Sequence, residues 1–249
     1  MNKYFNVHLE FDKNKIENVI QMAISNNQKG YVCIIESNNL AIANKDIVFN
    51  GVVNNSLINT CDGSNIAWLL SHIYKQKLHS YTGNDIFLNF ISKKKYKHYF
   101  LGNTQIVLNS LKENLSKTDP AISEMVFKEL PFKNVADFNY KQIGEDINKN
   151  NPDLIWVSLG APKQELFMSM LLPYINRGIM FGVGAAFNFN APSGKIKRAP
   201  LWMRKNRLEW LYRAFEEPQK NVPRYWNFIK LLPQLMIHEW KQSKKKDFH

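Results

Sequence analysis

Short apolar runs rich in β-branched and aromatic residues recur at 31–35, 47–49, 56–59, 98–101, 124–127, 154–158 and 178–183. Between many of them apolar residues return every three or four positions, over 13–25, 65–74, 85–91, 105–115, 140–148 and 164–174. That is the period of a helix with one buried face. Strands alternating with helices of this length are joined by crossovers, and strands apolar throughout are buried on both sides. The pattern predicts an α/β fold: a Rossmann-like, mostly parallel sheet flanked by helices.

After about Gly194 the pattern changes. β-Branched residues thin out, and Trp, Arg, Leu and Glu recur at helical spacing through 200–217 and again through 224–240. A Rossmann-like core over 1–193 and a basic helical C-terminal appendage over 194–249 are predicted. The lysine-rich tail 241–249 is expected to be disordered.

Charge sharpens that division. The chain carries +12, and from Gly194 onward fourteen lysines and arginines face five acids, so +9 of the total lies in the appendage. Such a surface suits an anionic partner: lipid, diphosphate or nucleic acid. In 224–240 the apolar positions Trp226, Phe228, Ile229, Leu231, Leu232, Leu235, Met236, Ile237 and Trp240 interleave with Arg224, Lys230, His238 and Lys241. A Trp-flanked basic amphipathic helix is the pattern of an element lying on a membrane surface; a helix packed on the sheet, its charges solvated, is the alternative. The aromatics sit at helical spacing, not on strands as a base-stacking platform requires, which argues against nucleic acid.

No run approaches the roughly 20 apolar residues of a membrane span, and the first residues lack the apolar stretch of a signal peptide. A cytoplasmic protein, peripheral on the membrane, is expected. Cys33 and Cys61 stand in apolar strand contexts and are predicted to be buried free thiols. His72, His79 and His98 lack metal-ligand spacing.

Candidate chemistry gathers where strands give way to helices, the edge at which open α/β sheets bind ligands. Asp62, in Thr60-Cys61-Asp62-Gly63, is placed to act as a general base, although Asp-Gly is also a common turn. Thr82-Gly83-Asn84-Asp85 opens a helix, with Asn84 or Asp85 as the expected N-cap. Leu101-Gly102-Asn103-Thr104 is a junction whose free N–H groups favour an anion. It lacks the full G-x-G-x-x-G fingerprint, as does Gly182-Val183-Gly184, so a dinucleotide site is not expected. In Gly160-Ala161-Pro162-Lys163-Gln164-Glu165 the proline fixes a helix entry, Lys163 can meet phosphate and Gln164 can hydrogen-bond a base or sugar.

With Asp62-Gly63, Thr82-Gly83-Asn84-Asp85, Gly160–Glu165, Lys197-Arg198-Ala199-Pro200 and Leu208-Glu209-Trp210-Leu211-Tyr212-Arg213 together, the chain resembles the WecG/TagA/CpsF family of bacterial glycosyltransferases over residues 30–225. The resemblance implies an inverting, metal-independent enzyme, without cofactor. It moves a sugar, commonly N-acetylmannosamine, from a UDP-sugar to a polyprenyl-diphosphate-linked sugar on the inner face of the bacterial plasma membrane. Asp62 then matches the proposed base and Gln164 the active-site glutamine. Arg213 matches a diphosphate-binding arginine; Lys220 stands where a second is usual, and Arg224 can replace a third. The expected substrate-binding set is Asn38, Thr82, Gly83, Asp85, Gly102, Gly160, Lys163, Gln164, Arg198, Arg213, Lys220 and Arg224.

Two positions depart from the family pattern: Glu36 and Ser80 replace the usual Thr and Arg. Losing a cation and gaining a carboxylate disfavours a uronic-acid donor. Another donor such as UDP-glucose, or a non-catalytic partner of another transferase, is the alternative. The apolar helical faces are also compatible with a homo-oligomer.

Overall fold

The computed structural model describes residues 2–246. A hairpin of β1 (Asn2–Tyr4) and β2 (Val7–Leu9) leads into α1 (Lys13–Ser25), β3 (Lys29–Ile35), α2 (Ser37–Ala43), α3 (Ile47–Asn54), β4 (Ile58–Cys61), α4 (Ser64–Tyr74) and α5 (Gly83–Ser92). The chain continues through β5 (His98–Gly102), α6 (Gln105–Ser116), β6 (Val126–Lys128), α7 (Tyr140–Asn150), β7 (Leu154–Ser158), α8 (Lys163–Leu171) and β8 (Gly178–Gly182). It ends in α9 (Ala186–Asn190), α10 (Leu201–Lys205), α11 (Glu209–Glu216) and α12 (Pro218–Lys246).

Six strands form one parallel sheet in the order β4-β3-β8-β7-β5-β6. Every residue of β5, β7 and β8 is buried, which is why these strands read as continuous apolar runs. One core lies on each face of the sheet, around Phe167, Leu171 and Leu40 on one side and Phe87, Phe90 and Phe187 on the other. Trp156, fully buried on β7, donates from Nε1 to Nδ1 of His98 at 3.0 Å. Burial pushes the His98 imidazole down to about 4, so it is neutral and serves the packing of β5 on β7.

The 47–49 run is not a strand. It is the first turn of α3, capped by Asp46, whose Oδ1 accepts from the backbone N–H groups of Val48 at 2.8 Å and Phe49 at 3.1 Å. The cap overrides β propensity, and only Phe49 of the three is buried. The hydrophobic pattern predicts neither the β1–β2 hairpin nor α2. In the tail, residues 241–246 continue α12 instead of being disordered. Buried Glu239 draws that end of the helix in, accepting from Phe5 N at 2.7 Å and from the Tyr74 hydroxyl. Residues 247–249 lie outside the described residues. Both cysteines are buried and free, as predicted.

From Leu201 onward the appendage is helical but breaks into three pieces, with Arg207 at φ 59° between α10 and α11, while residues 194–200 form no helix. Phe228 and Leu235 of α12 join the core that contains α2 and α4. This docking places the C-terminal cations over the sheet edge.

Candidate active site

The carboxyl ends of β3, β4, β7 and β8 stand side by side, with α11 and α12 above them. Two adjoining cavities lie between. One, of about 130 Å³, is polar and is lined by Asp62, Gln164, Arg198, Arg213, Lys220 and Arg224, with glycines 83, 160, 182 and 184. The other, of about 370 Å³, is mainly apolar, with Ile66, Trp68, Leu69, Trp210, Phe228 and Leu232 in its wall. Glu36, Asp62, Glu209, Arg213 and Tyr225 line both.

Asp62 follows β4 directly. Its backbone N–H extends the parallel ladder to Ile35 O at 2.9 Å, and its Oδ1 accepts from Gly83 N at 2.9 Å. Burial pushes the carboxyl up to about 6; Arg213 and the Gly83 N–H oppose that rise, while Glu36 and Glu209 add to it. A group with that affinity is ionised at neutral pH and basic enough to take a proton from a hydroxyl as it attacks. The helix behind Gly83 is capped by Thr82, not by Asn84 or Asp85: Thr82 Oγ1 accepts from Asp85 N at 3.2 Å. Asn84 is instead buried, its Oδ1 accepting from Asn190 Nδ2 at 2.7 Å.

Opposite Asp62, Gln164 enters from the first turn of α8 and is 4% exposed. The cations come from the C-terminal part, each held by a modest contact. Arg213 Nη2 reaches Glu209 Oε1 at 3.4 Å, Lys220 Nζ reaches Glu217 at 3.0 Å, Arg224 Nη2 donates to Ala161 O at 3.1 Å and Arg198 pairs with Asp85 at 3.1 Å. Burial works against the Arg213 charge, yet Asp62, Glu209 and Glu36 outweigh it and raise its pKa. Four cations converging on a small cavity can hold a diphosphate and stabilise negative charge that develops there.

Of the residues expected from the sequence, Asp62, Thr82, Gly83, Gly160, Gln164, Arg198, Arg213, Lys220 and Arg224 meet at the polar cavity. Asn38, Asp85, Gly102 and Lys163 do not line it. Asn39 takes the place of Asn38, because residues three apart share a helix face and Asn39 Oδ1 accepts from Glu36 N at 3.2 Å. Asp85 is engaged with Arg198. Gly102 has φ +101°, and a Cβ there would lie 2.7 Å from Ser158 O; the glycine permits close packing on β7. Lys163 precedes inward-facing Gln164 on a helix and lies over the rings of Phe132 and Phe138.

Sequence reasoning missed Glu209, Tyr225 and the apolar wall. Tertiary docking creates that wall, so no local signal announced it. Ser80 lines neither cavity, whereas Glu36 lines both. Among the described residues no group of three or more His, Cys, Asp or Glu side chains is arranged to hold a metal ion.

A model of the glycosyl transferase WecG/TagA/CpsF family matches residues 4–246. The chain belongs to this family. It is similar to the N-acetylglucosaminyldiphosphoundecaprenol N-acetyl-beta-D-mannosaminyltransferase of Bacillus subtilis strain 168, at 27% identity over 210 residues, 81% of this chain and 75% of the relative. The protein of the same name from Staphylococcus aureus strain MW2 is 28% identical over 244 residues, 92% of this chain and 90% of the relative. This member of the WecG/TagA/CpsF family is a glycosyltransferase.

Proposed function

We propose that the chain transfers N-acetylmannosamine from UDP-N-acetylmannosamine to a polyprenyl-diphosphate-linked N-acetylglucosamine, with inversion and without a metal, in the assembly of a cell-surface polysaccharide. The observation that carries this reading is that Asp62 stands in the wall common to a cation-lined cavity and an apolar groove. The polar cavity takes the nucleotide-sugar. The groove between α4 and α12 takes the acceptor, an amphiphile with a sugar, a diphosphate and a hydrocarbon chain. Asp62 accepts the proton of the acceptor hydroxyl, whose oxygen bonds to the anomeric carbon. The bond from that carbon to the diphosphate oxygen breaks, and UDP departs with the electron pair. Arg213, Lys220 and Arg224 stabilise the charge on the leaving diphosphate, the task a divalent cation performs in other transferases.

The appendage also supports work at a membrane surface. Trp226, Ile229, Met236, Ile237 and Trp240 form an exposed stripe at helical spacing on α12, with Lys230 over the Trp226 ring and Lys244 over the Trp240 ring. Among the described residues no helix is long and apolar enough to cross a membrane. The reading places the enzyme peripherally on the inner leaflet, where its acceptor is anchored. The test incubates purified protein with short-chain polyprenyl-diphosphate N-acetylglucosamine and a panel of UDP-sugars, following UDP release and product mass. A disaccharide product from UDP-N-acetylmannosamine is expected in the presence of a chelator. A product from another donor alone overturns the sugar assignment, and loss of turnover on chelation overturns metal independence.

A further inference from the structure

The side chain next to Gln164 belongs to neither cavity. Glu165 is fully buried, a carboxyl in the core beneath the site. Gln164 Nε2 donates to Glu165 Oε1 at 3.1 Å and to Gly182 O at 2.9 Å. The amide nitrogen has two hydrogens, and these two acceptors engage both. A rotated amide would set its oxygen against two other oxygens, so the orientation is determined by its surroundings. Gly182 makes the approach possible: a Cβ there would lie 2.9 Å from the Gln164 amide.

The other end of the amide has no partner. Gln164 Oε1 is buried without a hydrogen bond, and it lies beside the Gly184 turn, where a Cβ would stand 3.6 Å from it. Gln164 and Gly184 both line the polar cavity. An unpaired acceptor at the wall of a cavity is satisfied when a ligand brings a donor.

We propose that Glu165 is a positioning residue that fixes the Gln164 amide with its carbonyl oxygen toward the polar cavity, so that the nucleotide-sugar must offer an N–H or O–H donor there. The inference rests on the donor site assigned above and deepens it. In a nucleotide-sugar the candidate donors are an imide N–H of the base, the N–H of an acetamido group and the sugar hydroxyls. Burial pushes Glu165 up to about 7, against its own backbone N–H, Gln164 and Asn39, which favour the ionised form; Glu36 adds to the rise. Either state serves, because with the proton on Oε2 the Oε1 atom still accepts.

The test uses the full chain and two readouts. In the first, the side-chain amide protons of Gln164 are followed by NMR without ligand. They exchange slowly in the wild type and in Glu165→Gln, whose carbonyl can replace Oε1, and at least about tenfold faster in Glu165→Met. Rapid exchange in the wild type overturns the proposal whatever the enzyme turns over. In the second, calorimetry measures UDP-N-acetylmannosamine binding. Glu165→Met weakens it about tenfold, Glu165→Gln stays within about threefold of wild type, and the double variant with Gln164→Ala binds no more weakly than Gln164→Ala alone. Additive losses, or full affinity in Glu165→Met, overturn the proposal. A protected amide in a protein that binds no UDP-sugar would leave the positioning role standing and remove the donor assignment. Should Glu165→Met not fold, the wild-type exchange rate and the Glu165→Gln variant still decide.

Discussion

The floor and the roof of the site are built differently. The floor consists of side chains at strand–helix junctions tied to backbone: Asp62, just past β4, to the Gly83 N–H and Gln164, in the first turn of α8, to the Gly182 carbonyl. The roof consists of cations on helices with little burial. No residue of α10 or α11 is buried, and Arg213 and Lys220 rest on acids of their own or the adjoining helix turn. The exposed Lys220–Glu217 pair contributes only about 0–1 kcal/mol, and the partly buried Arg213–Glu209 contact is long at 3.4 Å, so both cations can change partners to a phosphate. The floor fixes geometry, and the roof supplies charge that can change partners when substrate arrives.

Substitutions break this contrast in graded steps. The largest effect belongs to Asp62→Asn, which lowers turnover by about 10³-fold while UDP affinity, measured by calorimetry, stays within about threefold. An equal loss of UDP affinity would make Asp62 part of the nucleotide pocket instead. The same carboxyl sets a pH dependence: kcat/KM rises as pH increases through about 6, because the base must be free of its proton. A profile flat from pH 5 to 7 would exclude that assignment. Because the folded-state pKa is raised, the ionised form is disfavoured by the fold. The Asp62 contribution to stability therefore improves as pH falls from above 6 toward 4, and Asp62→Asn raises Tm at pH 8.

On the roof, Arg213→Ala lowers kcat/KM by about 10²-fold and Lys220→Ala by about tenfold, with the loss reproduced at high ionic strength. Turnover indifferent to both would mean that the roof does not close on the diphosphate. Further from the chemistry, replacing Trp226 and Trp240 together by Ser weakens binding to anionic vesicles about tenfold in a sedimentation assay. Turnover of a short-chain acceptor in detergent is unaffected by that change; if it falls equally, the stripe packs within the protein and not on lipid. The smallest effect is one of selectivity. Glu36→Thr raises the relative rate with a uronic-acid donor about fivefold, since removing a carboxylate from the wall of both cavities lessens repulsion. An unchanged donor ratio would exclude Glu36 from donor selection.

Much of this was legible in the chain. Continuous apolar strands announced a parallel sheet, Asp62 and Gln164 stood at strand–helix junctions, and the concentration of cations after Gly194 gave the appendage its sign. These features are local, set by hydrophobic period, capping and charge. The 47–49 run misled because a single capping carboxylate outweighed three strand-forming residues. In the sequence Glu165 stands out only as part of a motif, since its burial and its grip on Gln164 depend on β8 arriving alongside α8. The apolar groove was hidden for a like reason: Trp68 and Phe228 are 160 positions apart in sequence and meet only when α12 docks on α4. Sequence by itself determined the elements and the chemical groups the protein has to offer. Tertiary structure decided which of them share a cavity and which way the Gln164 amide faces, because those depend on the approach of distant segments and on the exclusion of water between them.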